Sequence, residues 1–121
     1  MSKIIKIAVD AMGGDNSPKK IIDGINHHYK SNANTFYQIF GDKEKIQNYI
    51  NQLPTSSFEI IHTKDLVKGT DSPLEGAKRG KNTSMWLAIQ SVKEKKSDIV
   101  ISAGNTGALL VISKLNLKMI E

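Results

Sequence analysis

Short apolar segments alternate with segments that carry apolar residues at helical spacing along the whole chain. The predicted strands cover residues 4–9, 36–40, 58–62 and 98–102. A run that is apolar almost throughout, such as residues 4–9, suits a strand covered on both faces, as in a parallel sheet. Strand and helix in strict alternation predict an α/β fold with a largely parallel sheet and right-handed crossovers.

Local signals place the starts and ends of the predicted helices. Ser17 is predicted to cap the first helix with Pro18 at its first helical position, and Pro54 is predicted to stop a second helix over residues 43–53. A loop or mobile flap over residues 63–71 leads into a capping box at residues 72–75. Asn82 or Thr83 caps the next helix, and a last helix begins near Ala108.

Length and composition narrow the class of protein. The 121 residues fit one globular domain over residues 1–121. With no cysteine, disulfide frameworks and thiolate metal sites are excluded. No apolar run approaches the roughly 20 residues that cross a bilayer, and the first residues lack the pattern of a secretory signal. We therefore expect a cytoplasmic protein.

The charge pattern favours anionic ligands over nucleic acid. The net charge is +5, and 16 of the 17 cationic side chains are lysines spread along the chain without interleaved aromatic residues. That spread indicates a solvated surface and no nucleic-acid partner. A positive field still attracts small anions.

Glycine-bearing loops follow three of the predicted strands, at residues 10–16, 41–42 and 102–107. In parallel sheets ligands bind at this end of the strands, where helix N-termini present unpaired N–H groups. Neither glycine pair has the spacing of a dinucleotide or P-loop motif, so ATP and NAD are not indicated. Asn105 and Thr106 offer donors suited to an oxyanion, although generic spacing favours a simple strand-to-helix turn.

Arg79 is the single arginine of the chain. An arginine grips an oxyanion through two parallel N–H bonds that a lysine cannot reproduce, so Arg79 is a candidate anion ligand. An ion pair, with Glu75 as the suggested partner, explains the residue equally well.

Other titratable residues give weaker signals. Asp10 and Asp15 flank a glycine turn, but no histidine or third carboxylate is near, so no metal site is predicted. The histidines, His27, His28 and His62, are interpreted as surface residues. Trp86 is interpreted as a core residue.

Three ordered blocks resemble the PlsX family of bacterial phosphate acyltransferases. They are residues 8–15 (AVDAMGGD), residues 71–85 with the pattern DxP and AxRxKxxSM, and residues 100–109 (VISAGNTGAL). The resemblance covers essentially the whole chain but only the amino-terminal part of the family pattern. We therefore expect an N-terminal piece of a longer enzyme that is inactive by itself.

The resemblance implies a function and a fold. The family transfers a fatty acyl group from acyl carrier protein to inorganic phosphate, and the acyl phosphate feeds phospholipid synthesis. The implied fold is a three-layer α/β/α sandwich similar to isocitrate and isopropylmalate dehydrogenases and to phosphotransacetylases. The whole protein is implied to be a homodimer without metal or nucleotide cofactor, with peripheral membrane association through a part absent from this chain.

Phosphate is itself the nucleophile in such a reaction, so the protein needs only to position it and stabilise an oxyanion. The predicted catalytic residues are Arg79, Asn105 and Thr106. The predicted substrate-binding residues share loops at the strand ends or the start of the fourth helix, and they are Asp10, Gly13, Gly14, Asp15, Lys81, Ser84, Ser102, Ala103 and Gly104.

The chain departs from the family pattern at two positions. Gly80 stands where a further lysine is usual, and Thr83 stands where a serine is common. Two other functions fit the same residues: a phosphotransacetylase-like enzyme acting on acyl-CoA, and a non-catalytic anion-binding module.

Overall fold

Four parallel strands form the centre of the protein. The computed structural model describes residues 3–14, 16–68 and 71–102. The strands are β1 (Ile5–Asp10), β2 (Thr35–Gly41), β3 (Phe58–His62) and β4 (Ile99–Ser102), and their order in the sheet is β3-β2-β1-β4. Every strand pair is parallel, which confirms the predicted sheet.

Helices pack on both faces of this sheet. They are α1 (Lys19–Ser31), α2 (Lys43–Gln47), α3 (Pro73–Lys78) and α4 (Ser84–Lys93), with a 3₁₀ turn at Thr55–Ser57. Side chains of α1 and α2 share one buried cluster with alternate residues of β1 and β2, namely Ile7, Val9, Ile22, Ile25, Tyr37, Ile39 and Ile46. On the opposite face, Ala88 of α4 packs against Ala8 and Phe40. The α/β fold is thus confirmed, and its dehydrogenase-like classification stays a prediction.

The strand register brings the carboxyl ends of all four strands to one edge of the sheet. Asp10 at the end of β1 lies opposite Phe40 on one side and Ser102 on the other. Gly41 at the end of β2 lies opposite His62. The loops predicted to bind a ligand therefore begin side by side, and we call this end the carboxyl edge.

The second helix is shorter than predicted. The prediction over residues 43–53 was wrong in its second half, because α2 ends about midway along that span. The N–H groups of Tyr49 and Ile50 both donate to the carbonyl of Ile46 at 3.1 and 3.2 Å. The carbonyl of Tyr49 accepts from Nδ2 of Asn26 at 3.2 Å. A side chain of α1 thus takes a carbonyl that a continuing helix would need.

The first helix also begins differently. Ser17 does not cap α1, because Pro18 occupies the cap position and no side chain bonds the first turn. The Ser17 hydroxyl instead accepts the N–H of Gly14 at 3.0 Å, so it closes the loop that precedes the helix. The later caps are confirmed: Ser72 and Glu75 form the capping box of α3, and Thr83 caps α4.

Candidate functional site

Asp10 lies at the centre of a hydrogen-bond network on the carboxyl edge. Its side chain is buried, and its carboxylate accepts from the hydroxyl of Ser84 at 2.6 Å and the hydroxyl of Ser102 at 2.7 Å. The N–H of Met12 donates to the same carboxylate at 3.1 Å. The structure thus brings together three residues predicted for the site from three separate segments of the chain.

Burial raises the pKa of Asp10, and the hydrogen bonds from Ser84, Ser102 and Met12 oppose that rise. A serine hydroxyl carries one proton, so each serine that donates to Asp10 keeps only lone pairs for other contacts. While Asp10 is ionised, an anion at this edge must therefore find its donors elsewhere, in backbone N–H groups or in cationic side chains.

Gly13 occupies a position in the loop after β1 that strongly disfavours any residue with a side chain. Its φ is +93°, in the region that L side chains rarely adopt, and an added Cβ would lie 2.2 Å from the carbonyl oxygen of Val67. The loop after β1 therefore packs closely against the backbone of residues 63–68, at Val67.

Residues 63–68 are part of the loop predicted over residues 63–71, and Val67 within them is buried. Val67 is buried in a cluster with Met85 and Ile89 of α4. The hydroxyl of Thr63 donates to the carbonyl of Asn82 at 2.6 Å. This loop therefore lies along the start of α4, next to the Asp10 network.

Arg79 is held by Asp71. Its Nε and one terminal nitrogen donate to the two carboxylate oxygens at 2.9 and 2.6 Å. The Asp71 carboxylate also accepts the N–H of Lys68 at 2.8 Å. An ion pair of Arg79 is thus present, but its partner is Asp71, because Glu75 accepts the N–H of Ser72 in the capping box.

The two charges stabilise each other's ionised forms. The hydrogen bonds from Arg79 lower the pKa of Asp71, and those to Asp71 raise the pKa of Arg79. Two side-by-side bonds also fix the plane of the guanidinium.

A cleft of about 430 Å³ opens beside this ion pair. Three of its lining side chains are cationic, and the lining residues are Lys64, Asp65, Leu66, Lys68, Arg79 and Thr83. We call it the basic cleft. Thr83 lines it, and the next residue, Ser84, binds Asp10, so the basic cleft and the Asp10 network meet at the start of α4.

The other predicted residues are more dispersed. Lys81 is exposed, with Nζ 6.0 Å from the ring centroid of Trp86. Trp86 was predicted as a core residue, and it is partly buried at the side of the cluster of Val67, Met85 and Ile89. Gly14 lies in the loop after β1. Five predicted residues lie outside the described part of the chain, and they are Asp15, Ala103, Gly104, Asn105 and Thr106.

Residues 3–14, 16–68 and 71–102 contain no cluster of three side chains able to hold a metal ion. His28 and His62 make ordinary structural contacts, to the Tyr37 hydroxyl at 2.6 Å and the Lys43 N–H at 3.0 Å. None of the helices in these residues is long and apolar enough to cross a bilayer.

Sequence reasoning gave no role to Asp71, Lys64 or Val67. The signal available for Asp71 is its place at the head of the second family block, eight residues before the single arginine. Lys64 had no distinguishing signal among 16 lysines.

Comparison with known proteins decides the family. A family model described as fatty acid synthesis protein matches residues 5–121. The chain belongs to this family. It is 99% identical over 121 residues, all of its length, to a phosphate acyltransferase of Pelagibacter ubique, strain HTCC1062, and covers 36% of that protein. It is 45% identical over 107 residues, 88% of its length, to a phosphate acyltransferase of Streptococcus pyogenes serotype M5, and covers 31% of that protein.

These findings confirm the resemblance to the PlsX family. The chain spans about a third of the length of the curated relatives it matches. The matched residues contain both the Asp10 network and the basic cleft.

Proposed function

We propose that this chain is part of a phosphate acyltransferase that moves a fatty acyl group from acyl carrier protein to inorganic phosphate. The product is an acyl phosphate for phospholipid synthesis. The observation that carries this proposal is the meeting of the Asp10 network and a cation-lined cleft at the carboxyl edge, in a chain of the fatty acid synthesis family. The names of the relatives from Pelagibacter ubique and Streptococcus pyogenes support it.

In this reaction an oxygen of phosphate attacks the thioester carbonyl carbon. A C–O bond forms, the carbonyl oxygen becomes an oxyanion, and the C–S bond then breaks as the thiolate leaves and takes up a proton. Phosphate is already a nucleophile, so the protein contributes positioning and donors to the developing charge. We assign these catalytic tasks to Arg79, Asn105 and Thr106.

The Asp10 network supports the same reaction by fixing the strand and helix ends next to the proposed site. Its bond to Ser102 fixes the end of β4, directly before Ala103 and Gly104. Its bond to Ser84 fixes the start of α4. We assign substrate contacts to Gly13 and Gly14, in the loop that follows Asp10. We also assign them to Asp15 and to the exposed Lys81, as the sequence predicts.

The proposal extends to the partners of the whole enzyme. Acyl carrier protein and phosphate are its substrates, a homodimer is its assembly, and the cytoplasm is its location, with peripheral membrane association through residues that this chain does not contain. The proposed chemistry uses no metal or nucleotide cofactor and no nucleic-acid partner. The excess of cations supports an anionic substrate.

The test uses the full-length Pelagibacter ubique protein. Acyl carrier protein charged with a fatty acid is incubated with phosphate, and acyl phosphate is trapped with hydroxylamine. We expect trapped product that depends on phosphate. A preference for acyl-CoA would indicate a phosphotransacetylase-like enzyme, and no product with either donor would indicate an anion-binding module.

The role of Arg79 is tested in the same protein with Arg79→Lys. The expected result is a KM for phosphate at least about tenfold higher, because lysine keeps the charge but loses the paired N–H geometry. Lys45→Ala is the control, since Lys45 is exposed on α2 outside the basic cleft. An unchanged KM for phosphate would exclude Arg79 from the binding of inorganic phosphate.

A further inference from the structure

The basic cleft has the size of a small-molecule site and a mainly cationic lining. Its volume of about 430 Å³ lies in the range of small-molecule sites, about 300–1,000 Å³. Lys64, Lys68 and Arg79 line it, against a single lining carboxylate, that of Asp65. Asp71, the other acid nearby, has both carboxylate oxygens bonded to Arg79. The cationic groups therefore outnumber the acids that face the cleft.

The pairing with Asp71 fixes Arg79 without using up its donors. A guanidinium has five N–H groups, and Asp71 takes two of them. The second terminal nitrogen of Arg79 makes no hydrogen bond to any described residue. Three N–H groups, held in a fixed plane, are thus left for a ligand.

The two side chains of the Asp71–Arg79 pair differ in their exposure to solvent. The Asp71 side chain is 6% exposed and the Arg79 side chain 39%. The acid lies on the protein side and the guanidinium on the solvent side, where it lines the cleft. Because the guanidinium is exposed to solvent, the pair adds little to stability, and the arrangement is better explained by the charge that it presents.

We propose that the basic cleft binds a phosphate group through Lys64 and Arg79, and that Asp71 is the positioning residue that holds Arg79 toward it. The phosphate group is either inorganic phosphate or a phosphate carried by the thioester donor. The inference rests on the proposed function, and it adds to it the binding groups Lys64 and Asp71 and the place of the ligand. Because Thr83 lines the cleft and Ser84 binds Asp10, a ligand held here lies at the carboxyl edge next to the Asp10 network.

The first experiment measures equilibrium binding of inorganic phosphate and of phosphopantetheine to the full-length Pelagibacter ubique protein by calorimetry. For Lys64→Ala we expect the Kd of the ligand that uses the cleft to rise at least about tenfold, the effect of losing one close charge contact. For Asp71→Asn we expect a rise of about three- to tenfold, since Arg79 keeps its charge but loses its fixed plane. Lys45→Ala, which removes a lysine outside the cleft, should leave both Kd values unchanged.

The second experiment distinguishes the two sources of the phosphate group by kinetics. If inorganic phosphate is the ligand, Lys64→Ala and Asp71→Asn raise the KM for phosphate and leave the KM for the donor. If the donor's phosphate is the ligand, they raise the KM for an acyl-phosphopantetheine donor and leave the KM for acyl-pantetheine, which lacks that phosphate. Either result supports the cleft.

The proposal is overturned if both Kd values and all these KM values stay within about twofold of the unsubstituted protein. Thermal melting confirms that each variant is folded, and Lys64→Gln replaces Lys64→Ala if the latter is not. A positioning role for Asp71 also requires that Asp71→Asn has no further effect in an Arg79→Lys background. Failure of the unsubstituted enzyme to form acyl phosphate would refute the proposed function alone, because binding is measured without turnover.

Discussion

Asp10 and Asp71 are two aspartates in neighbouring parts of the candidate site, and their surroundings shift their pKa values in opposite directions. Asp10 is buried and receives only neutral donors, two hydroxyls and an N–H, so burial raises its pKa. Asp71 receives a guanidinium, so its pKa is lowered. One aspartate fixes the scaffold, and the other orients a charge toward solvent.

The two aspartates therefore have different structural roles in the candidate site. The Asp10 network ties three strand and helix ends together and offers nothing cationic to an anion. The Asp71–Arg79 pair ties few elements together but presents N–H groups in a fixed plane. We therefore expect substitutions near Asp10 to act on stability and those near Asp71 to act on ligand affinity.

The largest effect is expected for Gly13→Ala, in the loop beside Asp10. The residue has a φ of +93°, and its Cβ would lie 2.2 Å from a backbone oxygen. We expect a loss of about 2–5 kcal/mol in the free energy of unfolding, from left-handed strain and overpacking together. Urea unfolding of the full-length protein measures it. Gly24→Ala in α1 is the control: it has open space around it and should gain about 0.5–1 kcal/mol.

Asp10→Ala is expected to cost nearly as much. It leaves the hydroxyls of Ser84 and Ser102 and the N–H of Met12 without their acceptor. The loss of three hydrogen bonds to a buried acceptor predicts a loss of about 2–4 kcal/mol, again measured by urea unfolding. A loss below about 1 kcal/mol in the free energy of unfolding would mean that the Asp10 network adds little to stability. The proposed contrast, in which Asp10 acts on stability and Asp71 on ligand affinity, would then be wrong.

The pH dependence of stability should have opposite signs at the two aspartates. Asp10 has a raised pKa, so its ionisation is penalised in the folded protein, and the advantage of the unsubstituted protein over Asp10→Asn should shrink as pH rises above the usual value of 3.8. Asp71 has a lowered pKa, so the advantage over Asp71→Asn should be complete above 3.8 and be lost as pH falls below it.

Urea midpoints between about pH 3 and about pH 7 measure both differences. We expect the Asp71 effect to be small, because its partner Arg79 is solvent-exposed. Two slopes of the same sign would show that the environments of the two aspartates are more alike than the hydrogen bonds indicate.

The smallest effects are expected at the helix caps beside each aspartate. Thr83 is buried and caps α4, so Thr83→Ala should cost about 1–2 kcal/mol. Ser72 is exposed and caps α3, so water can replace its hydroxyl, and Ser72→Ala should cost about 0.5 kcal/mol. If thermal melting showed equal losses of stability for Thr83→Ala and Ser72→Ala, burial would not affect the contribution of these caps.

Local signals in the sequence predicted most of the framework. β3 matches its predicted span of residues 58–62, and the capping box at Ser72 and the cap at Thr83 are confirmed, because each depends on neighbours within one turn. The parallel-sheet rule also predicted that the loops beginning at Asp10 and at Ser102 would lie at the same end of the sheet, and these two residues lie opposite each other there.

Contacts between distant segments could not be predicted in this way. The end of α2 depends on Asn26, and the buried position of Val67 depends on Met85 and Ile89. The partner of Arg79 depends on how the chain turns between Lys68 and α3. For each of these contacts the sequence offers several chemically equivalent partners. Only the packing of the folded chain determines which partner makes the contact.

The place of β1 at the interior of the sheet has a consequence for synthesis of the chain. The N–H of Asp98, directly before β4, donates to the carbonyl of Lys6 in β1 at 2.7 Å. β1 precedes the other described strands in the chain, and its neighbour β4 is made about 90 residues later. Until then one edge of the nascent sheet stays open to other chains. Asp10 also lacks its hydroxyl partner Ser102 until β4 has been made, so the Asp10 network is complete only after this strand is added.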